Sequence, residues 1–228
     1  MKRHRTLLLG ELPIRPHSRR TRAVRQLLAF TSIASLGAAA TACSVTGEAN
    51  PAPAGPTTTA SIRQIDDSGK RLPFDNRFPD RWSTNNNGTT YEPCTALTDD
   101  ELAAVGIDPG SVIDVAMANG QTARGCRWEY RDVKLSGVTQ ATGNKPTFEQ
   151  QMQDREWYAT SYDIVIDGRP VMVDARARYT CMTTVKSGRA PVSTLVSRIS
   201  DTPPSELCAQ AIEFTTLTIP KMEPPAPE

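Results

Sequence analysis

Beyond residue 42 the chain has no histidine; the two it contains are His4 and His17. That absence removes Ser-His-Asp and Cys-His chemistry, and every imidazole-ligated metal site, from the body of the protein. The chain also lacks a G-x-S-x-G elbow, an S-x-x-K pair, a phosphate-binding G-x-x-x-x-G-K-[ST] loop and a G-x-G-x-x-G turn. There is no C-x-x-C pair, which argues against a four-thiolate zinc site. The uncharged run at 27–42 (LLAFTSIASLGAAATA) is shorter than the about 20 residues a membrane-spanning helix needs. No internal repeat is apparent.

Charge is unevenly spread. Residues 1–42 carry eight Lys or Arg and one acid, Glu11, which leaves 18 basic and 24 acidic residues in the remainder, a net charge of −6. A basic segment, a short apolar run and a small-residue stretch together read as a secretory signal over 1–42. Ala40-Thr41-Ala42-Cys43 resembles the bacterial lipobox, in which small residues precede a cysteine that becomes lipidated. Cysteine arithmetic agrees: removing Cys43 from five leaves four, an even number for an exported chain. Ser18-Arg19-Arg20 leaves the twin-arginine route open beside the general one. The reading expects a membrane partner through lipid on Cys43, with the chain held on the extracytoplasmic face.

Residues 43–90 then read as the lipidated cysteine followed by a disordered tether, rich in Pro and Thr at first and Asn-rich at 85–87. Asn87-Gly88-Thr89 matches a glycosylation sequon, taken as chance beside a bacterial lipobox. The folded domain is expected over 91–220, with a disordered tail at 221–228. Thr98 and Glu101 form a capping box for a two-turn helix over 99–105, stopped by Gly106. Strands are expected at 112–117, 126–131, 135–141 and 192–199, and a helix over 147–158. Asp167-Gly168 between apolar runs predicts a tight hairpin. A long strand from Val171 puts Val173, Ala175, Ala177, Tyr179 and Cys181 on one face, with Asp174, Arg176 and Arg178 on the other. Pro203-Pro204 opens a last helix carrying Leu207, Cys208, Ala211 and Phe214. The fold class is α+β: an antiparallel sheet with helices packed on one face, stapled by two disulfides.

Cys181 and Cys208 both point at the expected helix–sheet layer, which pairs them and leaves Cys94 with Cys126. Three segments then carry a resemblance: Tyr91-Glu92-Pro93-Cys94 through Leu102, Gly125-Cys126-Arg127-Trp128, and the Cys181 strand with its Cys208 helix. Together they resemble the actinobacterial lipoprotein family catalogued as a domain of unknown function, DUF 3558. The resemblance implies a lipid-anchored α+β domain and supplies no catalytic residue to carry over.

Carboxylate pairs occur at Asp66-Asp67 and Asp99-Asp100. The first reads as solvated linker rather than a calcium site, the second as helix-dipole stabilisation. Arg127 and Arg131 alternate with Trp128 and Tyr130, and Arg176 and Arg178 alternate along the later strand. On one sheet face these four guanidiniums would bind carboxylates or phosphates. Trp128, Tyr130 and Tyr179 read as core. The expected function is a non-catalytic envelope module for a protein, lipid or glycan partner. It is read as a monomer with no cofactor, no metal and no nucleic acid. An extracellular carboxylate-based hydrolase and a structural or adhesive surface module are the alternatives.

Overall fold

Turn and cap chemistry set the element boundaries in the computed structural model, which describes residues 61–199 and 201–227. All of these belong to one compact unit. The segment read as a signal (1–42), Cys43 and residues 44–60 of the expected tether lie outside the described residues.

Helix α1 (Pro93–Ala96) opens with proline at its first position and the Glu92 side chain accepting from the Cys94 N–H. Helix α2 (Asp99–Ala104) carries the expected capping box between Thr98 and Glu101, and Gly106 takes the left-handed conformation that ends it (φ 78°). The chain then enters strand β1 (Ile107–Asp114), earlier than the expected 112–117. Strands β2 (Ala123–Tyr130) and β3 (Gly137–Gly143) follow as a hairpin. The expected helix over 147–158 is shorter: α3 (Phe148–Gln153), box-capped by Thr147 and Gln150, tightens into a 3-10 turn over Asp154–Trp157. The Asp167-Gly168 hairpin joins β4 (Thr160–Ile166) to β5 (Arg169–Ala177), with both turn residues at positive φ (49° and 76°).

The long strand expected from Val171 through Cys181 is in fact two. It folds back at Arg178-Tyr179, and Cys181 lies on β6 (Thr180–Ser187), whose Thr180 pairs with Ala177. Strand β7 (Ala190–Ser197) and the last helix α4 (Pro204–Thr218) complete the fold. The seven antiparallel strands are ordered β1-β2-β3-β7-β6-β5-β4. Helix α4 lies across β6, β7 and β5 on one face, while short α3 sits on the other, where Gln151 accepts from Thr184.

Both expected disulfides are present. Cys94–Cys126 ties α1 to β2, and Cys181–Cys208 ties β6 to α4. Trp128 and Tyr130 are core, as expected; Trp128 meets Phe214 of α4 at 5.9 Å between ring centres. Tyr179 is not core: it sits at the hairpin tip, where no element covers it, and is substantially exposed. The core is two apolar clusters, one around Trp128, Cys181 and Phe214, the other around Tyr91, Val171 and Ile219. A belt of buried polar side chains lies between them. Gln140 donates to Thr194 and Thr218 and accepts from the Tyr91 hydroxyl, while Thr215 bonds Thr183 and Thr194. Each member has a partner, so the belt escapes the cost of an unpaired buried group.

Two domain boundaries need correction. Residues 61–90, assigned to the tether, are folded against the sheet. Residues 221–227, assigned to a disordered tail, are ordered to Pro227. In both cases side-chain-to-backbone hydrogen bonds and ion pairs replace the apolar periodicity that composition looks for. The C-terminal segment is a strap: Arg169 donates to the carbonyls of Met222 and Glu223, Ala226 N–H donates to Gly188, and the Glu223 carboxylate accepts from Thr89 and Thr90. Burial opposes ionisation of Glu223, yet those hydrogen bonds hold its carboxyl below the ordinary glutamate range. A depressed folded-state value means the strap's contribution is present above the unfolded value and fades as pH falls through the folded one.

Candidate functional site

The polar residues 81–92 are ordered by two buried arginines. Arg81 and Arg124 are each 0% exposed. Arg81 grips Glu92 with two bonds (2.8 and 3.1 Å) and reaches Asp114 at the end of β1 (2.9 Å). Arg124, on β2, donates to the same Glu92 (2.9 Å) and to the carbonyls of Thr89 and Tyr91 (2.7 and 2.8 Å). Two guanidiniums thus meet two carboxylates, Glu92 and Asp114, and the cluster is neutral. Burial pushes the Arg124 guanidinium below its usual value against the pull of Glu92, but arginine remains charged at any physiological pH.

Asparagine amides shape the adjoining loop. Buried Asn86 donates to the carbonyls of Arg81 and Gln121. Asn144, just past β3, accepts from Gly88 N–H and donates to Thr84 O and Asn87 Oδ1. A side chain at Gly88 would meet Asn144 Oδ1 at 2.7 Å and Ala190 Cβ at 3.0 Å, so any larger residue in place of the glycine of the Asn-Asn-Asn-Gly run would have to displace the Asn144 amide. Asp66 is no solvated linker residue. It is buried, and it accepts from Ser68, from Lys70 N–H and from Thr95. Burial opposes these bonds, but together they hold its carboxyl below the ordinary range.

This framework walls two neighbouring clefts at the end of the sheet where β2 begins and β3 stops. The larger, about 620 Å³, is lined by Ser83, Thr84, Asn85, Asn87, Thr89 and Thr90, with Asp67, Asp80, Arg63 and Trp82 among them. The Arg63 and Arg81 guanidiniums lie over the Trp82 ring, 4.1 and 4.7 Å from its centre. The smaller, about 380 Å³, shares Asp67 and Thr90 and adds Lys70 and Lys221. Amides and hydroxyls offer donors and acceptors together, and charges of both signs are present. Asp67 is taken up by Arg63 at 2.6 Å. No group of three or more metal-ligating side chains occurs among the described residues.

The four arginines expected to share one sheet face do not come together. Arg127 is on β2, half-buried, on the face opposite Cys126 and Trp128. Arg176 is on β5, and β3, β7 and β6 intervene, a separation of about 19 Å. Arg131 and Arg178 are off the strands altogether, in loops at the far end of the sheet. The anion-binding face fails because the fold inserts β7 at the sheet centre and because the Val171 strand ends before Arg178. Sequence reasoning missed Arg63, Trp82, Asn85 and Asn87; the only available signal was the density of amides at 85–87, which composition equates with disorder.

A family model described as "Protein of unknown function (DUF3558)" matches residues 38–221, and the chain belongs to that family. No curated protein matches it.

Proposed function

We propose that this DUF3558 member is a lipid-anchored, non-catalytic envelope module that uses its double cleft to hold a hydroxyl-rich, glycan-type ligand. The observation that carries the reading is the lining of the larger cleft. Of the six neutral side chains bearing hydroxyls or amides that line it, Thr89 and Thr90 give their hydroxyl protons to Glu223, which leaves Ser83, Thr84, Asn85 and Asn87 as the polar face, and ion pairs hold its walls. Such a surface hydrogen-bonds ring hydroxyls, each of which both donates and accepts. The lipobox at Cys43 supplies the anchor.

Two measurements test this. Cys43→Ser is expected to move the protein from the membrane fraction to the soluble fraction, with its melting temperature unchanged. Retention in the membrane fraction would end the anchor reading. For the cleft, envelope-derived oligosaccharides titrated into the chain from residue 44 onward should shift the amide resonances of Thr84, Asn85 and Asn87. Thr84→Ala with Asn87→Ala should weaken binding at least tenfold, since lost hydrogen bonds to a ligand are about 1 kcal/mol each. Saturable binding that ignores both substitutions would place the site elsewhere.

A carboxylate hydrolase has one specific observation in its favour: Asp67 and Asp80 line the same cleft. Turnover of a bound oligosaccharide, abolished by Asp80→Asn while binding persists, would replace the binding-module reading.

A further inference from the structure

The end of the sheet opposite the clefts is built from three adjoining loops: residues 131–136 between β2 and β3, the Arg178-Tyr179 turn, and the chain leaving β7. Their contact follows from register. Gly137 and Thr180 both pair with Ser197, from opposite sides. Ile199 N–H donates to Ser136 Oγ, and Arg198 N–H donates to the Tyr179 carbonyl. Each loop presents an apolar side chain to solvent: Leu135 is 66% exposed, Ile199 65% and Tyr179 42%. Leu135 is held at φ 61°, a left-handed conformation unfavourable for leucine. An apolar side chain kept outward on unfavourable backbone points to a contact outside the molecule.

The same loops carry exposed cations. Arg131 and Lys134 are exposed and make no ion pair among the described residues. Among the described residues Arg178 has one ion pair, with the highly exposed Asp201 at 3.1 Å, a weak contact in water, and it lies 5.3 Å from the Tyr179 ring centre. The nearby acid Asp132 is occupied by Arg198, which takes both its oxygens (3.0 and 3.2 Å). Glu129, exposed at the end of β2, is a third acid here beside Asp132 and Asp201, so this end sets four cations (Arg131, Lys134, Arg178 and Arg198) against three acids, in a chain that is net acidic beyond residue 42. Apolar tips ringed by Arg and Lys suit the boundary of an anionic bilayer, where the tips enter the headgroup region and the cations meet lipid phosphates.

We propose that this loop end docks on the surface of an anionic phospholipid bilayer. Leu135, Ile199 and Tyr179 enter the headgroup–acyl boundary, and Arg131, Lys134 and Arg178 contact phosphates. The clefts then face away from the membrane, about 27 Å off, the length of the eight-residue β2. The 17 residues between Cys43 and Ser61 reach at most about 60 Å, enough for a lipid on Cys43 to lie in the same bilayer.

The test uses the chain from residue 44 onward, which holds both disulfides and both core clusters and has no site for lipid. Its outcome is therefore independent of the Cys43 reading. Vesicles of phosphatidylglycerol with phosphatidylcholine should sediment the protein, and vesicles of phosphatidylcholine alone should not. Binding should fall at least tenfold as ionic strength rises about tenfold. Arg131→Gln with Lys134→Gln should cost on the order of tenfold or more, given the contribution of each basic residue at such a surface. Leu135→Asn, which keeps the left-handed backbone, combined with Ile199→Ser should cost at least as much. All four positions are exposed, and an unchanged melting temperature confirms that the variants fold. No sedimentation, equal binding to neutral vesicles, or full binding by both variants overturns the proposal. So does a dimer in solution that Leu135→Asn disperses, because the patch would then belong to a protein interface.

Discussion

Glu92→Ala is expected to destabilise the protein by about 3–5 kcal/mol, the cost of removing one member of a buried charge cluster. The magnitude follows from what is left behind. Arg81 and Arg124 are both fully buried, and Glu92 is the carboxylate they share. Asp114 remains for Arg81, while Arg124 keeps only carbonyl partners at Asn86, Thr89 and Tyr91. An uncompensated guanidinium then stays in the interior. The measurement is the urea midpoint with its slope, read together, since an unchanged slope assigns the loss to stability rather than to a changed unfolded state. A loss under about 1 kcal/mol would mean that water reaches the cluster. Arg124→Met combined with Glu92→Met is expected to restore much of the loss, because Arg81 keeps Asp114 and the guanidinium left without a carboxylate is removed along with its partner.

Cys181→Ala is expected to cost about 3–4 kcal/mol. The bridge to Cys208 closes a sequence separation of 27 residues, and chain-entropy reasoning gives about 3.5 kcal/mol for such a loop. Cys181 is completely buried and Cys208 nearly so, within the cluster that holds Phe214 and Trp128. The substitution thus also leaves a small void beneath α4. Made in the chain from residue 44 onward, which lacks Cys43, and unfolded in denaturant, the variant should yield one reactive thiol per molecule, at Cys208. No reactive thiol, or two, would contradict the connectivity. The Cys94–Cys126 bridge should remain, since it ties α1 to the other end of the sheet order.

What could be seen in the sequence was local. The Thr98–Glu101 box and the Asp167-Gly168 turn are fixed by residues three or fewer positions apart, and both formed as expected. The disulfide pairing followed from strand and helix periodicity, even though Cys181 was assigned to the wrong strand. That error survived because two changes of parity cancel: the two-residue turn inverts the alternation, and the register shift between Asp174 and Ala177 inverts it again, which returns Cys181 to the face of Val171 and Val173. Arg178-Tyr179 contains neither Gly nor Asn to mark the turn. The ordered segment 61–90 was invisible for a different reason. Its stability comes from Glu92, Asp114, Arg124, Asn144 and Glu223, partners up to 134 positions distant, as Glu223 is from Thr89. The candidate site sits on that segment, and so it was hidden with it.

Strand order has a temporal consequence. β7 is the last strand to be made, yet it lies at the middle of the sheet, between β3 and β6. Until Ala190–Ser197 arrives, β1–β3 and β4–β6 are separate three-stranded pieces, each with a raw edge, and neither has α4 to cover its apolar side. The strap that fixes Thr89 and Thr90 comes later still, from Glu223. Any process that handles the chain from its N-terminus forward, whether a ribosome or a narrow pore, therefore works on a polymer unable to close until Ala190–Ser197, and after it Glu223, are free. Such a chain stays threadable by construction, and it snaps into one cooperative unit only on release.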